Sequence, residues 1–197
     1  MNNTSNVTNT HNGHGFVDLG LPSGTLWATC NVGATSPEQA GMYFAFGETT
    51  GYSAEQVKKG ERSFDSASYT ASLISGNLTL EQDAAHIHMG GKWRMPTLDE
   101  CQELIDNCNV VWTWDYNSTG VKGCVFKSKV NRNSVFFPAA GYCIYSSVNG
   151  VGSFGYYWSI SWCPSSCAWC LRFNHIGQLP NYGGRYYGQP VRGVCKR

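Results

Sequence analysis

Beyond Val110 the chain carries no stretch with the three-to-four-residue apolar spacing of a helix. Short runs rich in Val, Phe, Tyr and Trp alternate there with turns of Gly, Asn and Ser. The strand candidates are 110–114, 121–126, 134–137, 155–160, 168–173 and 188–194. One helix is clearly signalled, just upstream. Thr97 follows Pro96 as its N-cap, Glu100 stands where a capping box needs it, and Leu98, Cys101, Leu104, Ile105 and Cys108 form one apolar stripe. A lone helical stripe beside many short strands predicts an α+β domain: small twisted antiparallel sheets, one or two short helices and long loops.

The upstream part reads in the same style. Residues 16–20 predict a short strand, Pro22-Ser23-Gly24 a turn and 26–30 the returning strand. Ser36-Pro37 suggests a single helical turn, with Ser as N-cap and Pro at N1. Residues 49–80 lack periodicity and predict loop, and 80–86 a short helix. Residues 1–13 are Asn, Thr, Ser, His and Gly with almost nothing to bury, which predicts a disordered tail or linker and order from near Phe16. The 197 residues suit a single domain, 14–197.

A net charge of +1 gives no electrostatic basis for binding nucleic acid or an anionic membrane. No apolar stretch approaches the ~20 residues of a membrane helix, so no direct membrane insertion is expected. The first residues show neither the basic nor the apolar region of a signal peptide.

Nine cysteines invite a search for metal. Cys163, Cys167 and Cys170 have C-x3-C-x2-C spacing, with His175 five residues on. The context is poor: only one C-x-x-C knuckle exists, and a strand over 168–173 puts Cys167 and Cys170 on opposite faces. His86 and His88 have no visible third ligand. No Gly-x-Ser-x-Gly elbow, phosphate loop or dinucleotide fingerprint occurs. No metal, cofactor or catalytic residue is expected, and Cys163, Cys167 and Cys170 read as unliganded thiols, at least one exposed. Cys101 and Cys108, two turns apart on the apolar stripe, read as buried thiols.

Residues 155–194 differ in kind. They contain no Asp, Glu or Lys, and their formal charges are Arg172, Arg185 and Arg192. Trp158, Trp162, Trp169, Tyr156, Tyr157, Tyr182, Tyr186 and Tyr187 crowd the same segment. Tyr, Trp and Arg with Ser, Gly and Asn are the vocabulary of binding surfaces. Within 161–184 cysteines, prolines and glycines fall without alternation, which favours a surface over a packed strand.

Several strings carry a resemblance: residues 16–28 (FVDLGLPSGTLWA), Asn31-Val32-Gly33-Ala34, Ala45-Phe46-Gly47-Glu48-Thr49-Thr50, Asp83-Ala84-Ala85, residues 90–97 (GGKWRMPT), Phe137-Pro138-Ala139-Ala140-Gly141-Tyr142, Gly155-Tyr156-Tyr157-Trp158-Ser159 and Val191-Arg192. Together, over about residues 14–195, the chain resembles the FISUMP domain, the bacterial major paralogous domain. The resemblance implies a C-type-lectin-like fold with a ligand surface near the C-terminus. The chain is also similar to the variable proteins of diversity-generating retroelements, in which an error-prone reverse transcriptase rewrites adenine-bearing codons at the 3′ end of a lectin-fold gene. That scaffold pattern is matched at Trp158-Ser159, Ala168, Leu171, Phe173, Arg185, Gly188, Val191 and Arg192. Phe46 replaces a usual Trp and Gly193 a usual Pro. The calcium motifs of sugar-binding C-type lectins are absent.

The positions between scaffold residues are then the expected variable, ligand-binding ones: Ile160, Trp162, Cys163, Ser166, Cys167, Trp169, Cys170, Arg172, His175, Ile176, Leu179, Asn181, Tyr182 and Gly183. Rewritten Asn codons reach most of these residue types but not Trp, so Trp162 and Trp169 require another template codon. Trp162, Trp169 and Tyr182 are the expected aromatic anchors, Arg172 and His175 the polar contacts, and Trp93, Arg94 and Trp158 core. The implied function is non-enzymatic recognition of a protein or glycan on another cell or host, from a cell surface or a phage particle. Two other readings stand beside it. One is an oxidase-like enzyme of the formylglycine-generating type, holding copper or zinc on the cysteine cluster. The other is an invariant structural surface domain.

Overall fold

The first strands form where the sequence alternates and the last strand returns to them. A computed structural model describes residues 9–71, 73–164 and 166–197. β1 (Thr10–His11), β2 (His14–Asp18) and β3 (Thr25–Asn31) are followed by β4 (Tyr43–Phe44). Three short helices come next: α1 (Ala54–Lys58), α2 (Ala84–Met89) and α3 (Leu98–Asn107). β5 (Cys108–Thr113), β6 (Gly123–Ser128) and β7 (Ser134–Pro138) form one meander, and β8 (Tyr142–Ile144) with β9 (Ser147–Asn149) a small hairpin. β10 (Gly155–Trp162), β11 (Cys167–Phe173) and β12 (Gln178–Gly184) form a three-stranded sheet in that order. β13 (Gln189–Pro190) pairs with β4, and β14 (Arg192–Lys196) closes the sheet β1-β2-β3-β14 by pairing with β3. Every pairing between these strands is antiparallel. The class is α+β, built from several small antiparallel sheets.

Local chemistry explains the helices. Thr97 accepts from the Glu100 N–H and Glu100 accepts from the Thr97 N–H, the expected capping box of α3. A second capping box, Ser53 with Gln56, starts α1 inside the segment expected to be loop. The expected helix at 80–86 is instead a 3₁₀ turn, Leu80–Gln82, followed by α2. Asp83 makes the break by capping α2 through the His86 N–H at 3.0 Å. Residues 36–39 form a turn rather than a helix, with the Gln39 N–H donating to Ser36 O at 3.2 Å.

Order begins before Phe16. Thr10 pairs with Gly15, the His11 carbonyl accepts from the Trp93 indole at 2.8 Å, and the Asn12 amide donates to Met89 O. This part of the expected tail is therefore a hairpin over α2. Residues 1–8 lie outside the described residues.

The β10–β11–β12 sheet is buried on both sides where β10 and β11 meet. Trp158, Ala168 and Cys170 join one core with Phe44, Phe46 and Trp93. Tyr157, Leu171 and Phe173 join a second with Trp27, Leu104, Phe126 and Phe137. A third, smaller core gathers Tyr43, Val57, Phe64 and Cys143. Cys101 and Cys108 are buried thiols, as their spacing on one stripe predicts.

Glu100 does more than cap. Arg94 clamps its carboxylate with two nitrogens at 2.6 and 2.7 Å, and the Thr25 hydroxyl adds a third donor at 2.9 Å. Burial alone would raise this carboxyl, but the Arg94 and Thr97 hydrogen bonds outweigh it and hold it at about 2. A carboxylate with a depressed folded pKa contributes stability above its unfolded pKa and loses it as pH falls through the folded one. The fold should therefore weaken between its ordinary value of 4.5 and about 2. Glu100→Gln should cost roughly 3 kcal/mol at neutral pH and flatten that acid limb in urea titrations at successive pH values. An unchanged limb in the variant would remove Glu100 as its source.

Candidate binding surface

β11 runs down the middle of the candidate surface, and its register brings separated residues side by side. Trp169 faces Tyr182 across the β11–β12 ladder, Cys170 faces Asn181, and Arg172 faces Leu179. The Trp169 and Tyr182 rings meet edge to face, 5.8 Å apart. Tyr182 is 61% exposed, Ile176 82% and Leu179 45%. The expected anchors Trp169 and Tyr182 thus form one aromatic pair. Trp162 stands apart on β10. It is half-buried against the first core, and its indole N–H lacks an acceptor among the described residues.

The β10–β11 connection is held from two directions. Cys163 and Cys167 are joined by a disulfide. Arg185, itself buried, donates to Cys167 O at 2.9 Å, Cys163 O at 3.0 Å and Ile74 O at 2.8 Å, and its backbone N–H donates to Ser166 O. Its guanidinium also lies 5.6 Å from the Trp162 ring centroid. The expectation of three unliganded thiols with one exposed is thereby corrected. Two of the thiols are bonded to each other, since a turn of this size brings Cα163 and Cα167 to 5.5 Å. The third, Cys170, is buried, and burial pushes its thiol up to about 12. Such a thiol is protonated at neutral pH and a poor nucleophile or metal ligand.

At the opposite end of the sheet, Asn174 shapes the β11–β12 turn by accepting from the Ile176 and Gly177 N–H groups. His175, exposed on that turn, meets Trp112 and Trp114 at 6.3 and 5.9 Å. Lys122 lies over Trp114 at 5.4 Å. Trp112, Trp114 and Lys122 read in the sequence only as parts of strands; no spacing signal links them to His175.

Further along, Arg172 sits among rings: its guanidinium carbon lies 5.4 Å from Phe154 and 5.8 Å from Tyr156, and its Nε donates to the Tyr156 hydroxyl at 3.1 Å. Ser166 is exposed and Asn181 half-buried. Ile160 is partly buried, with its N–H bonded to Pro96 O. Gly183 packs close to core groups: a Cβ there would lie 2.9 Å from Gln189 Nε2 and 3.6 Å from Trp158 Cη2. The β11–β12 ladder therefore carries Trp169 with Tyr182 on one face and Arg172 with Leu179 on the other, with His175 and Ile176 at one end and Cys163, Ser166 and Cys167 at the other.

Other features are less suggestive. His86 and His88 lie on α2, not on a strand, and their ring nitrogens contact the Trp93 and Thr49 carbonyls respectively. Among the described residues no three His, Cys, Asp or Glu side chains group as metal ligands do. No helix among them is long and apolar enough to cross a membrane. A cleft of about 650 Å³ lies elsewhere, lined by His14, Cys30, Asn31 and His88 among others.

Comparison with known proteins returns no matching family model, curated protein or solved structure.

Proposed function

We propose that the chain is a non-enzymatic binding module of the FISUMP kind, with a C-type-lectin-like fold and a C-terminal surface diversified by a retroelement. It would recognise a protein or glycan on another cell or host, displayed from a cell surface or phage particle. One observation carries this reading. The residues matching the family scaffold, Trp158, Ser159, Ala168, Leu171, Phe173, Arg185, Gly188, Val191 and Arg192, are all buried. Of the intervening expected variable residues, all but Cys170 reach solvent to some degree. Two sets chosen by sequence pattern separate by burial, as a fixed frame carrying exchangeable side chains requires.

The frame also explains tolerance. Surface substitutions away from caps and buried networks usually shift stability by about 0.5 kcal/mol or less. A library randomised at Trp169, Arg172, His175, Ile176, Leu179 and Tyr182 should therefore yield mostly soluble, cooperatively folding members. A matched library at Trp158, Leu171, Phe173 and Arg192 should yield few. Equal survival of the two libraries would sink the frame-and-surface reading. The retroelement part has its own check in the flanking DNA. A near-copy of the 3′ end, differing at adenines and close to a reverse transcriptase gene, is expected, and its absence would remove that part.

A further inference from the structure

The charges of this chain are sorted along its length. All 13 acidic residues lie at or before Asp115, whereas nine of the 14 Lys and Arg residues follow it. The acid-free part builds β6 to β14, including the whole candidate surface. A cation placed there has no carboxylate nearby in sequence to neutralise it.

Most arginines nevertheless find partners. Arg62 pairs with Glu48, Arg94 with Glu100 and Arg197 with Asp18. Arg192 and Arg185 spend their donors on backbone carbonyls and, for Arg192, the Asn31 side chain. Arg172 is different. Among the described residues it forms no ion pair, and its one hydrogen bond is from Nε to the Tyr156 hydroxyl, which leaves both terminal nitrogens unused. Phe154 and Tyr156 hold the guanidinium in place. Tyr142 backs Tyr156 at 5.3 Å, and Leu179 lies directly across the ladder.

A half-buried guanidinium, held by rings and lacking a counter-charge, is prepared for one kind of group. Its two terminal nitrogens form a planar fork that matches a carboxylate in bidentate fashion. The rings around it lower the local dielectric and supply apolar contact at little cost in side-chain entropy. An arginine framed by tyrosines and an exposed leucine is also the composition of a protein-interface anchor.

We propose that Arg172, framed by Phe154, Tyr156 and Leu179, is the docking point for a carboxylate side chain on an acidic peptide segment of a partner protein. The inference rests on the binding-module reading and names the partner chemistry for the face of the β11–β12 ladder that carries Arg172 and Leu179. The Arg172 fork, which forms no ion pair among the described residues, draws in and fixes such a segment.

The test follows the Arg Nε–Hε resonances of the ¹⁵N-labelled protein during titration with poly-L-glutamate, with polygalacturonate as the acidic-glycan arm. The Arg172 resonance, identified by its loss in Arg172→Lys, should shift saturably with poly-L-glutamate. Added salt should weaken the binding. Arg172→Lys keeps the charge but not the fork, and should bind roughly tenfold more weakly. Arg172→Gln should bind more weakly still, whereas Arg132→Gln, on the β6–β7 turn, should change little. An unmoved Arg172 resonance, or an equal loss in Arg132→Gln, would overturn the proposal. A shift with polygalacturonate alone would overturn the peptide and assign the site to an acidic glycan. None of these outcomes touches the library test, so this inference and the binding-module reading can fail separately.

Discussion

Raising the pH should unfold this protein between about pH 10 and pH 11, through its buried thiols. Cys101, Cys108, Cys124, Cys143 and Cys170 are all buried. Burial pushes Cys108 from its ordinary 9.0 to about 11, and Cys124, Cys143 and Cys170 to about 12, with Cys101 moved the same way. In the unfolded chain these thiols ionise near 9. In the folded one they keep their protons. The native state therefore binds more protons than the unfolded state through this range, and stability falls as pH rises. Each thiol removes roughly 1.4 kcal/mol per pH unit, so five remove about 7 kcal/mol per unit. A domain stable by about 5–15 kcal/mol exhausts that within one to two units of pH 9.

Other groups act in the same window: burial also raises Tyr69 to about 12, and Tyr43, Tyr187 and Cys195 the same way, each adding to the loss. Burial raises Tyr157 to about 12 and adds to the loss, while it lowers Arg192 to about 10 and opposes it. One guanidinium does not offset these thiols and phenols. Far-ultraviolet circular dichroism against pH, at constant ionic strength and under argon, should show one cooperative transition. Cys108→Ala with Cys124→Ala should move its midpoint upward. A wild-type midpoint above pH 12 would exclude the thiols as its cause.

The same burial has a consequence at neutral pH. A thiol raised to about 12 is ionised to roughly one part in 10⁵ at pH 7, so Cys124, Cys143 and Cys170 are inert there. Cys163 and Cys167, in a less buried turn, are bonded to each other instead. The cysteines of the core and of the surface connection thus differ by environment, not by spacing.

That difference marks where the sequence stops being legible. α3 could be read from Thr97, Glu100 and the stripe because each acts within one helical turn. β5 to β7 could be read because alternating apolar residues face a core. β12 could not: Gln178-Leu179-Pro180-Asn181-Tyr182-Gly183-Gly184 has neither alternation nor β-propensity, and Pro180 lies opposite Leu171 in the ladder. It forms because β11 supplies a fully made neighbour, and as an edge strand it tolerates proline. The scaffold-matching residues are buried, and the residues between them, Cys170 apart, reach solvent. Facing into the core, Cys170 looks no different in sequence from its half-buried neighbour Trp169. The disulfide, the Arg185 clamp and the meeting of His175 with Trp114 depend on contacts made only in space.

Arg192→Met should lower the unfolding free energy by about 3–5 kcal/mol. Arg192 is fully buried, with no carboxylate against it among the described residues. It donates to Asn31 Oδ1 at 2.8 Å, to Ala28 O and Thr29 O at 2.9 Å and to Phe136 O at 3.1 Å, and stacks 4.4 Å from the Phe137 centroid. Asn31 in turn donates to the Tyr157 hydroxyl, which donates to Pro138 O at 2.7 Å. One side chain thereby ties β14, β3, β7 and β10 together, and β10 belongs to the β10–β11–β12 sheet. Methionine removes an expensive buried charge, which is favourable, but strips a donor from four acceptors, three of them in fully buried bonds. The second effect is larger because each orphaned acceptor costs about 1–3 kcal/mol.

Arg192→Lys separates charge from geometry. An ammonium presents three donors without the planar fork and is driven toward its neutral form by burial. The lysine variant should also be less stable than wild type at pH 7. A base with a depressed folded pKa binds more protons when unfolded, so its stability should rise between about pH 6 and pH 9. Wild type, with Arg192 protonated throughout that interval, should lack this component. Urea unfolding followed by tryptophan fluorescence at pH 6, 7.5 and 9 measures both effects. A methionine variant as stable as wild type would show that the four acceptors find other donors, and that the link from β14 to the β10–β11–β12 sheet does not run through Arg192.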